Sequence, residues 1–83
     1  MALFYFHLRD GTDILLDPEG RPLACLADVQ KAALMEARSI ISDDARTGRI
    51  MLDQRIDVED EFRDLVHSLP FADAVEIVLT RPE

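Results

Sequence analysis

Leu3-Phe4-Tyr5-Phe6-His7-Leu8-Arg9-Asp10-Gly11 is the stretch on which the fold of this chain turns. Its residues alternate, with Phe4, Phe6 and Leu8 on one side and Tyr5, His7 and Arg9 on the other, as in a strand with one buried face. Asp10-Gly11 follows with no spacer. Both residue types take positive φ cheaply, so the pair predicts a two-residue hairpin turn, with Thr12 to Leu16 returning as a second strand. A loop of Asp10 and Gly11 alone sets His7 opposite Ile14 and Phe6 opposite Leu15. Asp17-Pro18-Glu19-Gly20 is a further turn, because proline presets φ at the second position and glycine closes it.

Downstream, the period changes from two to that of a helix. Leu26, Val29, Ala33, Leu34, Ala37, Ile40 and Ile41 fall on one side of a helix predicted over residues 26–46. Ala33 and Ala37 at mid-stripe let its axis come close to a sheet. Cys25 occupies the N-cap position, Asp28 lies in the first turn where a negative charge suits the helix dipole, and Gly48 is a natural stop. A third strand is predicted from Leu52 to Glu59, with Ile56 and Val58 inward, and a fourth from Leu65 to Leu69 after a turn at Asp60 to Arg63. Pro70 ends that strand; Phe71 to Ile77 reads as a short helix or a closing strand, its alanines and the preceding proline favouring one or two helical turns, and 81–83 is a loose tail.

The expectation is therefore one α+β domain over residues 1–83, of order β-β-α-β-β. A small, mainly antiparallel sheet of four strands carries one long helix on one face, with Phe4, Phe6, Leu8, Val29, Ala33, Ala37, Ile40, Ile56 and Val58 as its core. A single helix covers one face only. The other face presents Tyr5 and His7 beside Ile14 and Leu16, which predicts an interface with a second copy or, instead, a cover made by Phe71 to Leu79.

Composition narrows the function. The chain has 83 residues, 9 Lys+Arg and 17 Asp+Glu, for a formal charge of −8. The excess is concentrated after residue 42, which carries −6 against −2 before it. The bases are scattered, so a phosphate backbone is repelled and no nucleic-acid partner is expected. No apolar run approaches a membrane span, and the start lacks the basic and long apolar segments of a secretory signal, which predicts a soluble cytoplasmic protein. One cysteine excludes an internal disulfide.

The opening Phe4-Tyr5-Phe6-His7-Leu8-Arg9-Asp10-Gly11, together with Asp17-Pro18-Glu19-Gly20, the alanine-rich helix after Leu26 and the acidic Asp57-Val58-Glu59-Asp60-Glu61, resembles a family of short uncharacterised proteobacterial proteins common in rhizobia. The resemblance spans nearly the whole chain to about Ile77 and implies a small α+β fold, with no catalytic residue or cofactor to carry over. The chain departs from that pattern at Phe62, where Gly before Arg is frequent. A looser, fold-level likeness is to HicB-type antitoxins, which also place a hairpin before a helix that begins shortly after a Pro-Leu pair, here Pro22-Leu23.

Each chemical motif has a plainer alternative. Cys25 at a helix N-terminus is a candidate nucleophile, but it needs His7 or His67 as a base, and no spacing supplies one; a capping or buried thiol is the favoured reading. His7 and His67 with a carboxylate could bind zinc, against half-exposed strand residues as the favoured alternative. Asp57, Glu59, Asp60 and Glu61 lack the glycine and spacing of a calcium loop and read as a solvated strand edge and turn. The three aromatic residues of the first strand suit packing better than base stacking, given the missing basic surroundings. No catalytic, cofactor or metal site is predicted. The leading expectation is a non-catalytic domain acting through protein–protein contact and pairing as a homodimer through Tyr5, His7, Ile14 and Leu16. The alternatives are an antitoxin-like neutraliser of a basic protein partner and a small enzyme using Cys25 and a histidine.

Overall fold

A computed structural model describes residues 1–80; the expected tail at 81–83 lies outside them. The architecture is α+β, with five strands where four were expected. Strand β1 (Ala2–Asp10) is the centre of the sheet. One side of it pairs antiparallel with β4 (Arg55–Glu59), which pairs in turn with β5 (Leu65–Pro70). Its other side is shared by two short strands, β2 (Asp13–Leu15) on the Leu8–Asp10 end and β3 (Arg21–Leu23) on the Ala2–Phe4 end. The strand at 21–23 is invisible in the sequence because three residues with a central proline show no alternation. Pro22 is tolerated there because β3 lies on an edge.

The hairpin register differs from the expectation by two in the pairing. Leu8 faces Leu15 and Arg9 faces Ile14, so the loop is Gly11-Thr12 rather than Asp10-Gly11, and His7 is not opposite Ile14. Only the first loop position has positive φ, Gly11 at 62°, which is where a type II′ turn places glycine. A shift of two preserves the faces, so Tyr5, His7 and Arg9 still share a side with Ile14.

Helix α1 (Leu26–Arg46) has its expected bounds. Val29, Ala33, Ala37 and Ile41 are buried, while Leu26 at the head of the expected stripe is half exposed to water at 50%. The helix packs over β4 and β5, off the sheet centre, so Ile56 and Val58 are fully covered, and Phe4, Leu8 and Ile40 are only partly so. The hairpin arm is left uncovered, with Leu15 69% and Leu16 62% exposed. Strand β4 begins at Arg55, later than the predicted Leu52, because a turn occupies 52–53. In β5 an extra residue around Val66 forms a bulge, since Val58 faces His67 but Glu59 faces Leu65.

After Pro70 the chain makes a 3-10 turn (Phe71–Asp73), shorter than the predicted helix. Phe71 donates its N–H to the Gln54 carbonyl at 2.9 Å, and Arg38 Nε holds the Ala74 carbonyl at 2.8 Å. Phe71 and Ala74 are buried in the core beneath α1, so this segment closes the helix side of the sheet and does not cover the open face. Among the described residues no helix is long and apolar enough to cross a membrane.

Candidate functional site: the open sheet face

The face away from α1 is built by alternation. Tyr5, His7 and Arg9 of β1 lie across from Glu59, Asp57 and Arg55 of β4, and Ser68 of β5 extends the row. Arg9 and Arg55 are direct cross-strand neighbours of like charge, an arrangement that would be destabilising alone. Asp57 resolves it. Its Oδ2 accepts from Arg9 Nε at 2.7 Å, and its Oδ1 accepts from Arg55 Nε at 3.1 Å and from the Ser68 hydroxyl at 2.7 Å. Burial would raise the Asp57 carboxyl, but the Ser68 hydroxyl and the two guanidiniums outweigh it and hold the group below its ordinary value. The acidic run was expected to be a solvated edge. Instead β4 is an interior strand and Asp57 is buried, because β1 and β5 pair with it on both sides.

Asp17 organises the other end. Between β2 and β3, the edge of β1 has no strand partner at Tyr5 to His7. The Asp17 carboxylate fills that gap: Oδ2 accepts the Phe6 N–H at 3.1 Å, and Oδ1 accepts the N–H groups of Glu19 and Gly20 at 3.1 and 3.2 Å. Desolvation pushes the Asp17 carboxyl up, and these three donors with Arg21 nearby more than reverse it, leaving it below the usual range. Asp17 also donates its own N–H to His7 Nδ1 at 3.0 Å. An acceptor Nδ1 puts the ring proton on Nε2, which faces Glu59 Oε1 at 3.2 Å. His7 is thus a buried member of a polar chain, and the Tyr5 ring stacks beside it at 6.5 Å and 11°.

Of the four residues expected at an interface, His7 is buried beneath Asp17, and Tyr5 is half-buried with one edge of its ring against Gly20. Ile14 and Leu16 remain exposed. The two histidines are not brought together. His67 is paired with Val58 and so belongs to the opposite face from His7, which is paired with Asp57. Cys25 is exposed at the N-cap of α1. Ala2, which pairs with Leu23 just before Cys25, lies five residues from His7, about 17 Å at the rise of a strand. Among the described residues no three His, Cys, Asp or Glu side chains converge on a common metal position.

The strap at 16–18 and the turn after β4 enclose a groove of about 600 Å³. Tyr5 and His7 form its floor, Leu16 and Pro18 one wall, and Glu59, Asp60 and Glu61 the other, with Arg63 at the rim. Asp60 ties the turn together: its Oδ1 accepts from the N–H groups of Phe62 and Asp64, and Arg63 takes φ of 65°. The roles of Asp17 and Asp57 were missed in the sequence, where they read as a turn residue and an edge charge. The available signal for Asp57 was the alternation of Arg55, Asp57 and Glu59, which places all three on one face.

Residues 3–72 match the family model described as a domain of unknown function (DUF6894). The chain belongs to the DUF6894 family. The match takes in β1 to β5 and ends within the 3-10 turn, so both the Asp17 strap and the Asp57 network lie inside the DUF6894 domain. No curated protein and no solved structure matches the chain.

Proposed function

We propose that this DUF6894 domain is non-catalytic and works through protein–protein contact, pairing with a second copy through its β1–β2 arm. The supporting observation is the run Ile14-Leu15-Leu16, three consecutive exposed aliphatic residues on an arm that α1 leaves bare. Beside them a cleft of about 270 Å³ opens, with Leu8, Ile40 and Ile56 among its apolar lining and Asp17, Arg21 and Glu36 among its charged lining. It is below the ~300–1,000 Å³ usual for small-molecule sites and suits an inserted side chain. Sedimentation equilibrium tests the reading. A dimer is expected for the wild type and a monomer for Leu16→Asp; a wild type that stays monomeric at high micromolar concentration in moderate salt overturns it.

The acid-lined groove favours a second reading, a neutraliser of a basic protein partner. A stable complex with a basic protein encoded beside this chain would support it.

A further inference from the structure

A chain of hydrogen bonds runs along the groove floor to a carboxylate. Asp17 N–H fixes the His7 tautomer, and His7 Nε2–H in turn holds Glu59 Oε1. Glu59 Oε2 has no hydrogen-bond partner among the described residues, and the Glu59 side chain is 34% exposed at the groove. The carboxylate is therefore aimed by a buried imidazole while half of it stays available. Next to it the Tyr5 ring, stacked on His7, offers a flat wall. A carboxylate beside an aromatic face fits a planar guanidinium, which bonds the first and stacks on the second. Charge agrees, because four carboxylates and a single guanidinium line the groove. The volume of about 600 Å³ admits an arginine side chain with the backbone that carries it.

We propose that this groove receives an arginine side chain of a basic protein partner, with Glu59 as counter-ion and Tyr5 as stacking platform. The proposal rests on the protein-contact reading but not on self-association, so sedimentation and the following titration fail separately. The probe is acetyl-Gly-Arg-Gly-amide, titrated into the ¹⁵N-labelled full chain and followed by amide chemical shifts. Saturable shifts are expected at Tyr5, His7, Glu59 and Glu61, with none for the citrulline peptide, which has the same shape and no charge. Glu59→Gln keeps an acceptor for His7 and should weaken binding about tenfold, as expected for loss of one charge-assisted bond. Tyr5→Leu should weaken it severalfold while leaving the Glu59 signal in place. Equal binding of the citrulline peptide, equal binding by Glu59→Gln, or shifts as large at Asp43 and Asp44 on the helix as in the groove would each overturn the assignment. A lysine peptide that binds as tightly as arginine would overturn the guanidinium choice.

Discussion

Asp57 and Asp17 carry out the two most demanding tasks at the scale of single residues. Asp57 is buried and Asp17 half-buried, and each is kept ionised by donors: Arg9, Arg55 and Ser68 for Asp57, and the N–H groups of Phe6, Glu19 and Gly20 for Asp17. Both are held below the reference value of 3.8, so they bind a proton more weakly in the folded chain than in the unfolded one. The stability they contribute is fully present above about pH 4 and is lost as pH falls through their lower folded values. Urea midpoints measured from pH 6 to pH 2 should show that decline. Asp57→Asn should be less stable at neutral pH and have a flatter acid limb. Its neutral-pH cost should be about 2–3 kcal/mol, less than the roughly 3–5 kcal/mol of a fully buried pair, because Arg9 and Arg55 both reach water. A variant with an unchanged acid limb would remove Asp57 from this role. Neither duty was legible in advance. An aspartate next to proline and an aspartate in an acidic run look like surface residues until the donors around them are known.

At the scale of elements, two short segments decide how well the sheet is closed. The strap at 16–18 depends on Gly20 just beyond it, whose φ of 70° suits glycine. A Cβ there would come 2.9 Å from Tyr5 Cε2 and 3.2 Å from the Phe4 carbonyl. Gly20→Ala should therefore cost about 1–3 kcal/mol, read by chemical denaturation, and should loosen the groove floor by displacing Tyr5. An unperturbed Tyr5 ring signal in that variant would contradict the close approach. The 3-10 turn does the corresponding work under α1. Phe71 is fully buried, so Phe71→Ala should destabilise the domain by about 3–5 kcal/mol in the same assay. A change under about 1 kcal/mol, near what surface substitutions cost, would place Phe71 outside the core. Helix α1 was readable because Leu26, Val29, Ala33, Ala37 and Ile41 recur every three or four residues along its 21-residue length. Strand β3 was not, because its three residues are held by pairing with Ala2 to Phe4 rather than by any pattern of their own.

For the molecule as a whole, charge and exposed apolar area oppose one another. A formal charge of −8 opposes association of like copies, while the bare β1–β2 arm is the exposed apolar area on which the proposed pairing rests. Salt shrinks the repulsion and leaves the apolar term, so the proposed dimer should tighten as ionic strength rises from about 20 to about 300 mM, which shortens the Debye length about fourfold. Sedimentation equilibrium at both salts measures this. A dimer that weakens with salt would point to ion pairs, and not to Ile14 and Leu16, as its basis. Binding of arginine at the proposed groove site should respond in the opposite sense, since its attraction is what salt screens.

Local periodicity by itself determined the class of this fold. Alternation over Leu3 to Arg9, the glycine after it and the helical stripe from Val29 to Ile41 fix which side chains face inward, because those signals need only neighbours in the chain. Tertiary structure decided the rest. It placed β4 inside the sheet, so that an acidic strand became a buried ion network. It offset α1 toward β5 and left the hairpin bare. It also tucked Phe71 beneath the helix, where the sequence left open a cover for the other face. Each of these outcomes depends on which strand lies beside which, and that order is set by contacts between residues tens of positions apart, which no short window of sequence contains.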